Sequence, residues 1–311
     1  LNFIDNKDHK LIVPLVVREY FGLKIIEIAG GKVSDYLSPI FHKNFALSQI
    51  EINYIKKRIF KNFKNADLVF FRKQKKYNLT QNPFLLLDEP IIGLHKSYGI
   101  EFGNFIESKK IKKIFNDNKR QLKRLNNIDE VNFVLANDYD EKLIIVKNMI
   151  FQKEERYKNT NVWNMFGKNY YKDFYYSLVK SNFYFLNIHI SAIKIGKKYI
   201  STHLGFFDDK TYYYLMPSFD SVNFKLYSGG NILLENLIQF AQSKNLDVFD
   251  FTIGNESYKK KWTNQTTELF DIILTNSTYG KFAKFSILLI FFLKRVKFID
   301  KIYKKIYKLL H

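Results

Sequence analysis

The stretch FYFLNIHISAIKIGKKYISTHLGFFDDKTYYYLMPSF, residues 183–219, decides the fold. It contains three runs of strand length that are rich in Ile, Phe and Tyr, at 183–195, 198–207 and 211–219. Short turn-forming segments, Gly196-Lys197 and Asp208-Asp209-Lys210, separate them. Because strand-forming runs joined by tight turns are typical of antiparallel hairpins, the sequence predicts a three-stranded meander.

A glycine pair follows the meander and opens a helical pattern. Residues 228–245 have apolar side chains at helical spacing behind the segment Tyr227-Ser228-Gly229-Gly230-Asn231. A glycine-rich turn that leads into a helix suits a phosphate, since the N–H groups of the first turn are unpaired and the helix dipole favours an anion. A plain turn is the alternative. Strands at 248–253 and 268–275 then complete the order β-β-β-loop-α-β-α-β.

The rest of the chain adds further strands and helices. Residues 11–20 and 23–30 predict a hairpin around Phe21-Gly22, 48–63 a helix and 66–73 a strand. Pro83 to Gly99 is punctuated by Pro and Gly, which indicates a long connection. The middle of the chain predicts helices at 105–125 and 139–157, with a strand at 130–137 between them. The pattern as a whole is that of an α/β protein.

Composition excludes several classes of site. The chain has 311 residues and no cysteine, so disulfides, thiolate zinc sites and a cysteine nucleophile are ruled out. Its 6 histidines lack close metal-ligand spacing, and no metal is expected. The formal charge is +20, yet only seven of the 50 basic residues are arginine, the residue that phosphate-reading surfaces favour. Compositional drift and a functional basic surface both remain open, and no specific nucleic acid partner is expected.

Five segments carry a resemblance to a known family: FGLKIIEIAGGKVSDYLSPIF (21–41), LNIHISAIKIGKKYIS (186–201), YYYLMPSFD (212–220), YSGGNILLENLIQFA (227–241) and FDFTIGNESYKKKW (249–262). In this order they resemble the GNAT superfamily of acyl-CoA N-acyltransferases. They resemble more closely the cellulose-biosynthesis-type (BioF2-like) acetyltransferase domain, a relative of the Fem aminoacyltransferases. The likeness extends to about Thr275.

The resemblance implies an α/β (α+β) GNAT fold with two GNAT-like halves, each a mixed central sheet flanked by helices. We expect an N-terminal half at 1–110, a helical bridge at 111–181, a C-terminal GNAT core at 182–280 and a basic amphipathic helix at 281–311. The loop Tyr227, Ser228, Gly229, Gly230 and Asn231 would hold acyl-CoA. The family usually has Ser-Pro-Gly there, so the loop of this chain loses the rigidity of proline.

The segment 249–262 carries the candidate catalytic residues that the resemblance implies. With no cysteine available, acyl transfer by direct attack in a ternary complex is the expected mechanism. Asp250 and Glu256 share the role of general base, and Tyr258 would protonate the leaving thiolate. His189 is a further catalytic candidate. Each has an alternative: Asp250 as a strand carboxylate that caps a loop or pairs with a lysine, Glu256 as the partner of Lys259 three residues on, Tyr258 as packing, and His189 as a core histidine.

Substrate contacts are expected at four further positions, Asp35, Tyr36, Lys259 and Trp262. The first two would lie on the acceptor side, Lys259 would meet a phosphate, and Trp262 would wall the site. The acceptor would be an amine or hydroxyl of a sugar, polysaccharide or cell-envelope precursor. A Fem-like transferase that uses aminoacyl-tRNA and a catalytically inactive GNAT scaffold are the alternatives.

The C-terminal tail, 281–311, combines an apolar run with a lysine-rich segment. Its longest apolar run is far shorter than the ~20 residues that span a bilayer. A basic amphipathic helix suits an anionic membrane surface, and packing on its own domain is the alternative. Without a signal-peptide pattern, we expect a cytoplasmic protein, peripheral at the inner membrane.

Overall fold

The computed structural model describes residues 2–5, 8–41, 47–76, 82–88, 90–103, 108–181 and 183–295. These residues form thirteen strands and seven α-helices. The strands are β1 (Asn2–Asp5), β2 (Asp8–Ile12), β3 (Leu15–Tyr20), β4 (Leu23–Ile28), β5 (Ile40–Phe41), β6 (Leu68–Lys75), β7 (Ile91–Glu101), β8 (Val131–Leu135), β9 (Asn187–Ile195), β10 (Lys198–Phe207), β11 (Thr211–Phe219), β12 (Val248–Ile253) and β13 (Gln265–Thr275). The helices are α1 (Gln49–Asn62), α2 (Lys109–Asn126), α3 (Tyr139–Thr160), α4 (Asn169–Lys180), α5 (Gly229–Ser243), α6 (Lys259–Trp262) and α7 (Thr278–Arg295).

The chain divides into two compact units. Unit 1 comprises residues 1–97, 253–255 and 266–311, and unit 2 comprises 98–252 and 256–265. This division differs from the segments expected from the sequence. The expected helical bridge, 111–181, lies inside unit 2, and residues 266–280 lie in unit 1.

Unit 1 contains a mixed sheet with the order β3-β4-β6-β13. The predicted hairpin is confirmed, with β3 antiparallel to β4. Phe21 and Gly22 both have positive φ, as the tight turns that fit the twist of a hairpin require. Strands β4 and β6 pair in parallel, and β6 and β13 antiparallel. The predicted helix α1 begins at a capping box, in which Ser48 and Glu51 each accept the other's backbone N–H.

The prediction of a long connection between Pro83 and Gly99 was wrong, because the structure has strand β7 there. Gly93 lies within this strand, and a Cβ on it would be 3.0 Å from the carbonyl oxygen of Leu269 and 3.2 Å from Asp271 Oδ1. Its glycine is explained by close approach of a neighbouring backbone rather than by a turn.

Unit 2 contains the strand order β12-β11-β10-β9-β8. The predicted meander β9-β10-β11 is confirmed, with antiparallel pairing throughout, whereas β11 and β12 run parallel. Helices α2 and α5 contribute to a core with one set of strand residues, which includes Ile193 and Tyr212. Helices α3 and α4 pack with another set, which includes Ile190 and Leu204. The sheet of unit 2 therefore lies between two helical layers.

Candidate functional site

Strands β11 and β12 are paired at their beginnings only. The parallel register joins Thr211 to Val248, Tyr212 to Phe249 and Tyr213 to Asp250. β11 continues to Phe219 and β12 to Ile253, but the described residues beyond these three pairs do not pair with each other. Ligands of open α/β sheets bind at the carboxyl ends of parallel strands. The point at which β11 and β12 separate is therefore the first candidate for a site.

A bulge in β11 lies on the other side of the same strand. The register between β10 and β11 shifts between Leu204 and Phe206, so that Gly205 faces two residues of β11. A Cβ on Gly205 would lie 2.4 Å from His203 Cε1 and 2.5 Å from the carbonyl oxygen of Tyr213. Only glycine fits this position, and the bulge begins directly after the last residue of β11 that pairs with β12.

The Asp250 carboxylate supports a bend in β12. Asp250 is buried, and its Oδ1 accepts the backbone N–H of Thr252 at 2.7 Å. Thr252 has φ +58°, a conformation that β-branched residues rarely adopt. Strain of this kind is concentrated at functional sites and needs support from its surroundings. One oxygen of Asp250 thus has a structural role, in keeping with the expectation of a capping carboxylate.

An ion pair and the short helix α6 follow β12 in the sequence. Glu256 Oε2 lies 3.2 Å from Lys259 Nζ, as the spacing of the two residues had suggested. The Glu256 side chain is 52% exposed, whereas that of Lys259 is 5% exposed. Glu256 is the one acid of the segment that solvent reaches readily, while Lys259 is largely inside the fold.

Tyr258 is hydrogen-bonded to Tyr214, which is the first residue of the bulge in β11. Burial raises the pKa of both phenols, and the negative charge of Glu256 raises the pKa of Tyr258 further. Both tyrosines are therefore protonated at neutral pH. Tyr258 thus has the protonation state of a proton donor, and Tyr214, which the sequence analysis missed, holds its hydroxyl.

Trp262 lies in the hydrophobic core. It is 1% exposed, and its ring packs 6.0 Å from that of Phe115 on α2. Lys260 also contacts α2, because its carbonyl oxygen accepts a hydrogen bond from Lys110 Nζ at 3.2 Å. Helix α6 is therefore held against α2 by both an apolar and a polar contact.

The candidate phosphate loop turns into helix α5 through a left-handed residue, Ser228. Ser228 has φ +53°, α5 begins at Gly229, and the Ser228 carbonyl oxygen accepts the N–H of Asn231 at 2.9 Å. Among the described residues, no backbone partner is found for the N–H of Gly229 or Gly230. A Cβ would be 3.5 Å from Ile200 at Gly229 and 3.7 Å from Phe219 at Gly230, both ordinary contacts. The fold itself therefore does not need glycine at these two positions.

Helix α2 lies alongside this loop. The Arg124 guanidinium stacks 5.1 Å from the centre of the Tyr227 ring, and Asn118 donates to the carbonyl oxygen of Asn231 at 3.2 Å. Asn118 also donates to Glu235 at 2.7 Å, which fixes its amide. The sequence analysis identified α2 only as a basic amphipathic helix. Its spacing alone gave no indication that Arg124 and Asn118 flank the loop.

The predicted catalytic residue His189 is buried against α5. Its Nδ1 is hydrogen-bonded to the Tyr212 hydroxyl, and its ring stacks on Phe240 with centroids 4.2 Å apart. Burial lowers its pKa to about 4, so it is neutral at physiological pH. His189 Nε2, Ser191 Oγ and His203 Nε2 are buried and have no hydrogen-bond partner within the described chain. This arrangement is that of a core histidine in a buried polar cluster.

The predicted substrate residues Asp35 and Tyr36 lie in unit 1. Lys75 Nζ is 4.9 Å above the Tyr36 ring, and Lys73 Nζ donates to the Ser34 carbonyl oxygen at 2.8 Å. Burial lowers the pKa of Lys73, and the Asp35 carboxylate opposes this shift. The segment around Asp35 is therefore held by two lysines of β6.

No three His, Cys, Asp or Glu side chains converge on a possible metal position in the described ranges.

A groove of about 560 Å³ lies between α3 and the loop that follows β11, lined by Phe151, Tyr199, Ser221 and Val222 among others. None of the predicted site residues contributes to its lining.

Comparisons with solved structures agree on the fold. The C-terminal (DUF2156) domain of a protein from Agrobacterium fabrum, named as a lysylphosphatidylglycerol synthetase, has a TM-score of 0.55 at 9% identity, over 91% of this chain and 88% of that one. FemX has a TM-score of 0.52 at 10% identity, over 88% and 87%. L-PGS from Bacillus licheniformis has a TM-score of 0.51 at 9% identity, over 92% and 86%. At these identities the likeness shows a shared fold.

The sequence comparison identifies one domain. No curated protein matches the chain. The family model of the acetyltransferase (GNAT) domain matches residues 112–260, which begin in α2, include the separating strands β11 and β12, and end in α6. Over residues 112–260, just under half of the chain, the sequence is therefore similar to the acetyltransferase (GNAT) domain.

Proposed function

We propose that this protein transfers an acyl group from acyl-CoA to an amine or hydroxyl of a sugar, polysaccharide or cell-envelope precursor. The observation that carries the proposal is the pair of backbone N–H groups at Gly229 and Gly230, which have no backbone partner in the described chain. They lie at the N-terminus of helix α5, where an anion is favoured, and they follow β11, the strand that separates from β12. A thioester supplies an acyl group with a good leaving thiolate, and a pyrophosphate fits the loop.

The residues of unit 2 have distinct roles in this proposal. Gly229, Gly230 and Arg124 bind phosphate, and Asn118 holds the loop. Glu256 is the preferred general base, because its carboxylate is exposed to an incoming acceptor whereas that of Asp250 is buried. Tyr258, protonated at neutral pH, gives a proton to the leaving thiolate. Asp250 holds the bend of β12, and one of its oxygens accepts the Thr252 N–H.

Thermal unfolding with and without ligand tests the donor. We expect CoA and acetyl-CoA to raise the unfolding midpoint in a concentration-dependent way, because a ligand that binds only the folded state stabilises it. Dephospho-CoA and pantetheine serve as matched probes of the phosphate contacts, and mass spectrometry of the purified protein identifies any retained acyl group. Equal midpoints with and without millimolar CoA would reject acyl-CoA as donor.

An aminoacyl-tRNA donor, as in the Fem relatives that the sequence resembles, is the second candidate. Helix α2 favours it, since its eight Lys and Arg side chains are all exposed and Asp117 is its one acid. Such a surface suits a polyanion. Incubation with aminoacyl-tRNA, followed by measurement of the aminoacyl group that remains on the tRNA, tests this donor, and filter binding of uncharged tRNA is the comparison. A true donor loses its aminoacyl group, whereas uncharged tRNA only binds. Binding of neither CoA nor aminoacyl-tRNA would instead favour the inactive scaffold.

A further inference from the structure

Helix α7 of unit 1 presents a row of large apolar side chains to solvent. Phe282 is 68% exposed, Phe285 65%, Leu289 46% and Phe292 66%. They follow one another at spacings of three, four and three residues, which places them on one face of the helix. We name these four residues the α7 stripe. Isolated exposed apolar residues are common, but a contiguous row of three phenylalanines and a leucine marks an interaction surface.

The opposite face of α7 is fixed to the sheet of unit 1. Ala283 and Ile287 pack on the cluster of Ile25, Leu68 and Ile273. A Cβ on Gly280 would lie 2.2 Å from the backbone oxygen of Asp67, so the start of the helix has no room to move closer. Lys284 Nζ also pairs with Asp88 at 3.1 Å. Because these contacts hold the inner face, the stripe is a fixed feature of unit 1 and points away from its sheet.

The exposed charges at both ends of α7 are positive. Lys281 and Arg295 are exposed at the two ends of α7, and the helix contains no acid. The sequence continues through 296–311, outside the described residues, with Lys297, Lys301, Lys304, Lys305 and Lys308 against a single acid, Asp300. Each basic residue near an anionic lipid surface adds to the attraction between helix and membrane. The exposed charges at the two ends of α7, together with the basic composition of the sequence that follows, match an anionic lipid surface.

We propose that the α7 stripe inserts into the headgroup region of an anionic lipid bilayer, with α7 parallel to the membrane plane. Phenylalanine and leucine on one face with lysine and arginine at the edges are the composition of interfacial helices. Within the described part of the chain, no helix is both long and apolar enough to cross a membrane. A second copy of this chain is a weaker occupant, because pairing two stripes would bring two sets of Lys281 and Arg295 together.

This inference refines the predicted tail. The sequence had suggested a basic amphipathic helix from residue 281, with membrane binding and packing on its own domain as alternatives. The structure starts the helix at Thr278 and packs its inner face on unit 1, which is the second alternative, and membrane binding of the exposed face stays a proposal. The lysine-rich part from 297 onward lies outside the described residues.

Flotation of the full-length protein with lipid vesicles tests the proposal. One set of vesicles contains phosphatidylcholine with phosphatidylglycerol, and the other contains phosphatidylcholine alone. The test variant combines Phe282→Ser, Phe285→Ser and Phe292→Ser. The control is Phe151→Ser, which removes a phenylalanine of α3 that is 62% exposed. We expect the native chain and the control to float with the anionic vesicles, and the triple variant to partition on the order of 10-fold more weakly or worse.

A second variant separates charge from apolar insertion. Replacing Lys304, Lys305 and Lys308 by Gln should weaken binding to anionic vesicles and remove much of its salt dependence, while leaving residual binding through the stripe. Circular dichroism and thermal unfolding establish that each variant is folded.

The proposal is overturned if the triple variant floats as well as the native chain. It is equally overturned if sedimentation shows that the triple variant turns a dimer into a monomer while flotation is unchanged, since the stripe would then be a contact between copies. No acyl donor is present in either experiment. A failed flotation result therefore leaves the donor assignment untouched, and a failed CoA titration leaves the membrane proposal untouched.

Discussion

The hydroxyls of Tyr214 and Tyr258 are hydrogen-bonded to each other, and the Tyr214 ring stacks on His203 with centroids 4.8 Å apart. His203 is the residue that leaves no space for a side chain at Gly205. His203 thus lies beside the bulge of β11 and packs on Tyr214, and Tyr214 is hydrogen-bonded to the hydroxyl that we assign as proton donor. A short series of contacts therefore connects the bulge of β11 to Tyr258, the proposed proton donor.

Replacing Tyr258 with Phe tests its role as proton donor. We expect kcat for release of CoA thiol to fall roughly 100-fold or more, since a positioned acid contributes about that factor, and KM for the donor to change little. Tyr258→Phe also leaves the Tyr214 hydroxyl without its partner, which costs about 1–3 kcal/mol of stability.

Tyr214→Phe and Tyr184→Phe serve as comparisons. Tyr214→Phe should lower kcat by a smaller factor, because the donor remains but is held less well. Tyr184 is almost fully exposed, and its replacement should leave kcat unchanged. A native kcat in Tyr258→Phe would show that the leaving thiolate receives its proton elsewhere.

Two substitutions of Asp250 separate its structural and catalytic roles. Asn retains a side-chain oxygen that accepts the Thr252 N–H, whereas Ala leaves that buried donor unpaired at a cost of about 1–3 kcal/mol. We therefore expect Asp250→Asn to unfold near the native midpoint and Asp250→Ala to unfold well below it. If the carboxylate only supports the bend, Asp250→Asn stays active. A roughly 100-fold loss in a stably folded Asp250→Asn would instead make it the general base.

Gly230→Ala distinguishes a ligand-binding glycine from a structural one. The nearest side chain to a Cβ at this position is Phe219, at 3.7 Å, so the substitution causes no clash within the protein. Alanine is also the better helix former by about 0.5–1 kcal/mol. We expect an equal or higher unfolding midpoint together with roughly 10-fold weaker binding of CoA, because the methyl group obstructs approach of a phosphate to the backbone. Undiminished CoA affinity in calorimetry would remove the loop from the donor site.

Sequence alone predicted the elements whose signals are local. The meander and helix α5 follow from short turns and regular periodicity. Helix α4 lies in the expected helical bridge but was given no bounds, because its residues are rich in aromatics, which have modest helix propensity, and Tyr175 and Val179 become buried only in the fold. Strand β7 was missed because Gly93 and Gly99 resemble turn residues, although close backbone contacts explain Gly93.

The candidate site was predicted in part for the same reason. The pair Glu256 and Lys259 follows from local spacing, and its geometry is confirmed. The contact of Tyr214 with Tyr258 depends on the bulge of β11, and that of Arg124 with Tyr227 on how α2 packs. Neither packing detail leaves a periodic signal in the sequence.

The buried carboxyl of Asp271 should make the stability of unit 1 depend on pH. Burial raises its pKa from 3.8 to about 6, although the Lys73 N–H donates to Oδ1 at 2.8 Å and opposes the shift. A carboxyl with a higher pKa in the folded state binds its proton more tightly there. Its contribution is therefore least unfavourable below pH 3.8, and the free energy of unfolding falls as pH rises from about 3.8 through about 6, by at most about 3 kcal/mol in all, and then levels off.

Asp271→Asn tests this dependence by a double difference. Asn retains an oxygen for the Lys73 N–H but does not ionise, so its free energy of unfolding relative to the native chain should increase between pH 4 and pH 8. The exposed Asp209→Asn is the control, for which we expect the same difference at both pH values. Urea denaturation at several pH values measures each free energy. If the difference for Asp271→Asn is constant with pH, the carboxyl does not titrate differently on folding, and its burial must be offset by the neighbouring Arg72 and Lys73 charges.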